Sequence, residues 1–469
     1  MTPNSEDLWF IPLGGCGEIG MNFNLYGHDG QWLIVDCGLT FSETVSNANG
    51  SATQSSSGSS DGTSRQIVSR DVQMADPAFI ADRKNDIAGM IITHAHEDHI
   101  GAVQYLWPQL QCTVFTTPLT AHVLRRKLAE AQLDDVPIVV VNSGQIADIG
   151  PFNVEWIQMT HSIPEPHSLL IKTAAGKVFH SGDWKLDNAP VVGKPYDRDR
   201  CQQLQREQID AMVCDSTNAT VSGHSRSESE LYRGLKSIVE QASGRVVVTC
   251  FGSNLARVAT LARIASETDR HLGLLGRSMI EMVNAGRATG LLQMAQPGVD
   301  SQHLGYLPRE TVLLLATGSQ GEPRTALNRL STNSFRDMHL EPGDTVVFSS
   351  RVIPGNEDIV AALIARLESM GVVVITESTA ELPIHASGHP ASDELRQMFS
   401  WVKPKVVIPV HGEAEHMQAN AELADHSGIA HQLHGKNGDL FVIAPEPALK
   451  SASVQSGRLA LRGKNLDRV

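Results

Sequence analysis

Cysteine is scarce in this sequence and never paired in spacing. Cys16, Cys37, Cys112, Cys201, Cys214 and Cys250 stand singly along 469 residues, with no CxxC among them. Several lie in apolar runs, such as "AMVCD" and "VVVTC", so the expectation is buried free thiols in a reducing cytoplasm. No signal peptide is expected from "MTPNSEDLWFIP", which has neither a basic start nor an apolar run. No later stretch approaches the roughly 20 apolar residues that a membrane span needs. Positive charge is not in excess, with 38 Lys and Arg against 52 Asp and Glu and a net charge of −14. Bulk charge therefore gives no broad basic footprint, although a narrow cleft can still be locally positive, and bound divalent metals would be its largest charges. No internal repeat of short period is present.

Strand-like and helix-like stretches alternate. β-rich runs include "WLIVD" (32–36), "GMIITH" (89–94), "DAMVCD" (210–215), "GRVVVTC" (244–250), "TVLLLATG" (311–318), "DTVVFSS" (344–350) and "PKVVIPVHG" (404–412), with helical patterns such as 119–133 and 253–267 between them. This is an α/β chain, and its length implies two or more domains. Residues 43–66 are rich in Ser, Gly, Asn and Thr, cannot bury a core, and read as a flexible surface insertion. "GGCGEIG" places Gly15, Gly17 and Gly20 at GxGxxG spacing, but a strand-like "MNFNLYG" follows where a dinucleotide site needs a helix. A tight strand–turn–strand is expected there.

The densest chemistry is "ITHAHEDHIGA" (92–102). In extended chain, residues two apart share a face, so His94, His96 and Asp98 can point one way while a turn brings His99 inward. The H-x-H-x-D-H spacing is not HExxH. One metal on His94 and His96, with a second on Asp98 and His99, fits the geometry. Imidazole and carboxylate suit zinc, and also manganese or iron. More candidates close apolar strands elsewhere: Asp36 after "WLIV", His161 after "VEWIQMT", Asp183 after "KVFHSG" and His411 after "VVIPV". A lone residue of this kind is usually a cap or turn residue, but several together with the opening cluster favour a metal site.

This pattern resembles the metallo-β-lactamase fold. The blocks "LGGCGEIGMN", "DCGLTF", "THAHEDHIGA", "HSIPEPHSLLIKT", "HSGDWKLD", "CDSTNA", "GRSM", "TGSQGEP", "SSRVIPGNE", "HASGH" and "PVHGE" are similar, in order, to the ribonuclease J family of its β-CASP branch. The resemblance implies an α/β fold: an αββα metallo-β-lactamase sandwich with an inserted α/β β-CASP domain. The core would cover 1–222 and 379–448, the insertion 223–378, and a linker or tail 449–469. It implies a first metal on His94, His96 and His161, a second on Asp98, His99 and His411, and Asp183 bridging both. Asp36 would orient the ligands. Asp215, His389 and His411 match the three β-CASP motifs. The family usually carries a further C-terminal domain, so a short form is expected, which weakens the case for a homodimer.

The implied activity is metal-dependent hydrolysis of RNA phosphodiesters, as 5′→3′ exonuclease, endonuclease or both. Two divalent ions, zinc first and manganese second, would activate a water and clamp phosphate oxygens. Asp98 is read first as a ligand and second as a proton acceptor, and Asp183 and Asp215 belong to the catalytic set. In "HASGH", His385, Ser387 and His389 alternate. We expect His385 and Ser387 to seat substrate phosphate, and His389 to do so and also to protonate the departing 3′ oxygen. In "FGSN", Ser253 is expected to cap the following helix, whose start, with Asn254, could also receive a 5′ phosphate. The expected partner is single-stranded, 5′-monophosphorylated RNA in the cytoplasm. The alternative is a small-molecule thioester or lactam hydrolase on the same fold, and a third reading is a scaffold protein with a vestigial site. The insertion argues against the alternative, and the complete ligand set argues against the third.

Overall fold

A computed structural model describes residues 1–46, 67–293, 298–353 and 355–469. From residue 47 onward, the insertion expected at 43–66 lies outside the described residues. Two sheets stack face to face. In the first, eight strands run in the order Ala448–Lys450, Leu440–Ala444, Leu8–Gly14, Phe23–His28, Gln31–Val35, Ile87–Ile91, Val114–Thr116 and Ile138–Val140. In the second, seven run in the order His431–Gln432, Val406–Val410, Ala211–Asp215, Lys177–His180, His167–Lys172, Phe152–Gln158 and Ile146–Ile149.

Alternation along each strand explains the layers, because successive side chains point to opposite faces of a sheet. In Leu8–Gly14, Leu8 and Phe10 face the space between the sheets, whereas Ile11 and Leu13 face outward. In Ala211–Asp215, Ala211 and Val213 join the central core, whereas Met212 and Cys214 face outward. The outward face of the second sheet is covered by the helices Arg198–Gln203, Ser392–Val402 and Ala414–His426 through Cys201, Leu395, Phe399 and Ala424. The first sheet is covered by Val103–Leu110 and Pro118–Glu130 through Leu106, Leu110, Leu124 and Leu128. The result is the αββα sandwich expected from the sequence.

Between Ala211–Asp215 and Val406–Val410, neighbours in one sheet, the chain departs to build a separate parallel sheet. Its order is His271–Leu275, Val312–Ala316, Val246–Thr249, Thr345–Phe348 and Val373–Ile375. Near-continuous apolar runs such as "VLLLA" form these strands because helices bury both faces. Val246 and Val248 belong to one apolar cluster and Val247 to another.

Two features of the chain ends bear on the site. The "GGCGEIG" segment joins the antiparallel strands Leu8–Gly14 and Phe23–His28 and opens no helix, as expected. Residues 449–469 depart from the expected linker or tail. Within them, Arg458–Arg462 and Asn465–Arg468 form a hairpin that adds antiparallel onto Ile67–Ala75. The segment is too short and polar to make its own core, but extending an existing strand edge needs none. Arg458 also pairs with Glu18, and Arg468 with Asp76 at 2.8 Å. All six cysteines are free and buried. No helix among the described residues is long and apolar enough to cross a membrane.

His167 opens a central strand and is 2% exposed. Its Nδ1 lies 3.0 Å from Glu165 O, and its Nε2 has no partner. Burial pushes its pKa down from 6.5 to about 4. Between those values the unfolded chain binds a proton that the folded chain refuses. Stability from this site is therefore complete above about pH 6.5 and is lost as pH falls toward 4, by up to about 3 kcal/mol. In denaturant melts at pH 7.5 and pH 5, His167→Gln should lose about 2 kcal/mol less than wild type between the two. Equal losses would contradict this.

Candidate metal centre

The site forms where strands of both sheets end along one edge of the sandwich. Gln31–Val35 delivers Asp36, Ile87–Ile91 delivers Thr93 and His94, and the short helix Glu97–Ile100 turns His99 inward. Phe152–Gln158, Lys177–His180, Ala211–Asp215 and Val406–Val410 deliver His161, Asp183, Asp215 and His411. Asp36 and His411 sit at φ 67° and 52°, a left-handed conformation uncommon for such residues, so the backbone is bent sharply where the side chains must turn inward. Two glycines permit the close approaches. A Cβ on Gly38 would lie 1.6 Å from Asp98 O, and one on Gly388 would lie 2.6 Å from the His161 ring.

Two sets of side chains converge and share one member. His94, His96, His161 and Asp183 present atoms within 4.8 Å of one another, and so do Asp98, His99, His411 and Asp183. A third group, Asp215, His389 and His411, abuts them. Asp183 Oδ2 lies 3.2 Å from His99 Nε2, 3.4 Å from His411 Nε2, 3.6 Å from His161 Nε2 and 3.9 Å from His94 Nε2.

The outer ring nitrogens are held. His161 Nδ1 donates to Gly388 O at 2.6 Å, and His99 Nδ1 lies 2.8 Å from Asp36 Oδ2. His94 Nδ1 meets Thr93 Oγ1 and His411 Nδ1 meets Asn22 Oδ1, each at 3.1 Å. Asp36 is itself fixed by Thr93 N at 2.8 Å. With Nδ1 donating, His161 Nε2 carries a bare lone pair. It faces His96 Nδ1 at 3.1 Å, and His94 Nε2 faces the same atom at 3.1 Å. One His96 proton cannot satisfy both neighbours, whereas a cation between the three can. Ligands about 2.0–2.1 Å from a tetrahedral zinc stand about 3.3 Å apart, close to this spacing. The residues therefore fit a divalent metal.

Charge divides the two sets. Burial, reinforced by neighbouring imidazoles, holds His94 and His161 well below the usual histidine range and His96 down to about 4, so all three are neutral donors. Burial also opposes charge on His99 and His411, but there the carboxylates win. Asp183, Asp98 and Asp36 hold His99 well above its ordinary value, and Asp183 above all lifts His411 to about 9. Burial would raise Asp98 and Asp183, but His99 and His411 outweigh it and keep both carboxyls low. This second set demands positive charge, which imidazolium protons or a metal can supply.

His389 lies at the open side. Its Nδ1 is 2.8 Å from Asp215 Oδ2, and its side chain stays 19% exposed. Burial lowers its proton affinity, Asp215 more than restores it, and the net direction is upward. Ser387 Oγ accepts from Asn218 Nδ2 at 2.7 Å, beside the cluster. His385, Ser253 and Asn254 are not among the converging groups. His385 lies near Arg257 and Glu228, and burial lowers it to about 4. The helix Leu255–Glu267 is capped by Asn254 and not by Ser253. Asn254 Oδ1 accepts from Arg257 N at 2.9 Å, while its Nδ2 donates to Glu228 at 3.1 Å. The cap falls one residue later than expected because the helix itself starts later. Asn22 was missed by sequence reasoning. It touches His99 and His411, which are 77 and 389 residues away, and its sole signal was its place after a glycine-rich turn.

Three family models match the chain: Metallo-beta-lactamase superfamily over 19–205, Ribonuclease J, beta-CASP domain over 243–367, and Zn-dependent metallo-hydrolase RNA specificity domain over 383–433. Ribonuclease J of Sinorhizobium meliloti is 41% identical over 97% of this chain and 77% of its own length. Ribonuclease J of Mycobacterium tuberculosis is 34% identical over 98% of this chain and 79% of its own. A crystal structure of a protein of unknown function from Enterococcus faecalis V583 superposes with a TM-score of 0.58 at 12% identity, covering 93% of this chain and 100% of that one, a likeness of fold alone.

Replacing Asp36 with Asn removes the charge behind His99 Nδ1 while keeping an acceptor. Such outer partners typically carry about 10- to 100-fold in metal affinity. Equilibrium dialysis with metal analysis should show weakening of that order. Affinity equal to wild type would remove Asp36 from this role.

Proposed function

The chain belongs to the ribonuclease J family of metal-dependent nucleases, and on that premise we propose that His94, His96 and His161 hold one divalent ion, Asp98, His99 and His411 a second, and Asp183 both. Its partner is RNA. Zinc is the first candidate and manganese the second, since neutral imidazole with carboxylate suits either. The proposed domain division is core 1–222, insertion 223–378 and core again 379–448. The observation that carries the reading is the position of Asp183 Oδ2 between the two histidine sets.

Bound there, two divalent ions would lower the pKa of a water nucleophile and offset charge growing on the phosphoryl oxygens. The chain supplies the rest. Asp36, Asn22, Thr93 and the Gly388 carbonyl fix ring orientation, so the donor nitrogens need no rearrangement. His389, its Nδ1 against Asp215, holds a proton at the open rim and delivers it to the departing 3′ oxygen. Asp215 orients that ring and favours its charged form. Ser387, anchored by Asn218, seats a non-bridging phosphate oxygen beside His389. Ser253 lies in the turn between the strand Val246–Thr249 and the N-cap of the helix Leu255–Glu267, where a 5′ phosphate is the expected guest. The inserted sheet and the match to an RNA specificity domain leave a small thioester or lactam hydrolase unfavoured. Six buried free thiols are compatible with a reducing cytoplasm.

Two experiments test this. Purified protein given 5′-monophosphate, 5′-triphosphate and 5′-hydroxyl single-stranded RNAs should cleave the first fastest, lose activity to a chelator and regain it with zinc or manganese. Cleavage that survives complete metal removal contradicts the assignment, and equal rates on all three ends contradict the 5′-phosphate preference. His389→Ala should lower kcat by roughly 100- to 10,000-fold, the usual span for a general acid. Unchanged turnover across the pH range would remove its proton role.

A further inference from the structure

The segment 385–389 carries Ser387 and His389, the two side chains given substrate roles above, and it enters the core directly from the inserted unit. Its far end is pinned, because Gly388 O accepts from His161 Nδ1 and His389 Nδ1 meets Asp215. Its near end is pinned by a different device. Ile384 O accepts from Ser349 Oγ at 2.5 Å. Ser349 is in turn gripped by Arg257, whose Nη1 donates to Ser349 O at 2.7 Å and also to its hydroxyl oxygen.

Arg257 is wholly buried on the helix Leu255–Glu267 and forks against Glu228, with Nε and Nη2 between 3.2 and 3.3 Å from the carboxylate. The Glu228 amide donates to Asp187 Oδ2 at 3.4 Å, and Asp187 lies 3.5 Å from Lys185 Nζ. Lys185 Nζ donates to Arg226 O at 2.8 Å, and its carbonyl accepts from Thr160 Oγ1 at 2.6 Å. Thr160 adjoins His161, and Lys185 follows Asp183 by two residues. Four buried charged side chains thus join the loops of two metal-site residues, the first turn of the inserted unit and the start of 385–389. Desolvation can cost such pairs more than their attraction returns, so stability is a poor reason to keep them. Fixing the register of three chain segments is a better one.

We propose that Arg257 is a positioning residue for cleavage: through the Ser349 hydroxyl it fixes Ile384, and so sets 385–389 over the metal centre according to where the inserted unit sits. This rests on the nuclease reading above.

Ser349→Ala is the cleanest probe, because Arg257 keeps its bond to the Ser349 carbonyl and only the hydroxyl relay is lost. Thr249→Ala is the matched control. It removes a buried hydroxyl-to-carbonyl bond of the same kind, to Ala316 O at 3.0 Å, within the inserted sheet. With metal-loaded protein and 5′-monophosphorylated single-stranded RNA, S349A should lower kcat about tenfold or more, since a small misplacement of reacting groups costs about that much. KM should stay within about threefold, with metal content and Tm matching T249A. Arg257→Lys should move kcat the same way, because an ammonium cannot span Glu228 and Ser349 as the fork does. Hydrogen exchange over 384–390 should quicken in S349A and not in T249A. That readout decides the proposal even if wild type fails to cut RNA, an outcome that would sink the nuclease reading instead. Wild-type kcat in S349A, an equal kcat loss in T249A, or unchanged exchange over 384–390 would overturn it.

Discussion

One carboxylate oxygen organises this protein. Asp183 Oδ2 stands within 4 Å of the imidazole nitrogens of His94, His99, His161 and His411, which come from three separate places in the chain. Those imidazoles come from strands of both sheets, so the oxygen can occupy that point only if the two sheets stack in one register. The central core of alternating Leu, Ile, Val and Phe therefore does more than exclude water. Between Phe10, Val35, Ile91, Val178, Val213 and Ile408 it sets the distance between the strand ends that carry the site.

Charge at that point is arranged asymmetrically. His94, His96 and His161 are kept neutral by burial and by each other, as donors to a metal must be. The carboxylates around His99 and His411 favour the protonated form of both rings, so a cation entering there would have to displace protons. The two sets thus differ in what binding requires. A metal could enter the first without proton release, whereas entry at the second would release protons. Asp183 belongs to both, so occupancy of one set alters the field felt by the other.

The sequence made much of this legible. Density of His and Asp at 94–99, and single His or Asp residues closing apolar strands, pointed to one site, because a strand end is where a side chain can leave the sheet and meet others. Alternating strand-like and helix-like runs pointed to an α/β chain, and the resemblance to a known family supplied the layers. What stayed hidden has physical causes. Asn22 contacts residues up to 389 positions away, and no local pattern marks an amide for that task. Nothing in the sequence marks Arg257 and Glu228 as a buried pair, because only the packing of three segments brings them together. The hairpin Arg458–Arg462 with Asn465–Arg468 looked like a tail because its partner strand, Ile67–Ala75, supplies what its own residues lack. Asn254 took the cap expected of Ser253 because one residue decides a helix start and pattern alone does not resolve it.

The place of the insertion follows from sheet geometry. Ala211–Asp215 and Val406–Val410 are parallel neighbours, and parallel neighbours cannot be joined by a tight turn. A crossover is obligatory there, and lengthening a connection that must already be long adds little closure entropy. The crossover leaves from Asp215 and returns past His389, two residues that meet each other at the rim of the site. Anything inserted in it starts and finishes beside the reacting centre. A unit at that position needs no separate device to face the metals, only a way to hold its angle. The buried contacts of Glu228 with Arg257, and of Arg257 with Ser349 and through it Ile384, lie at the two crossings between core and insertion. The inserted unit thus occupies a connection that the parallel sheet requires on other grounds.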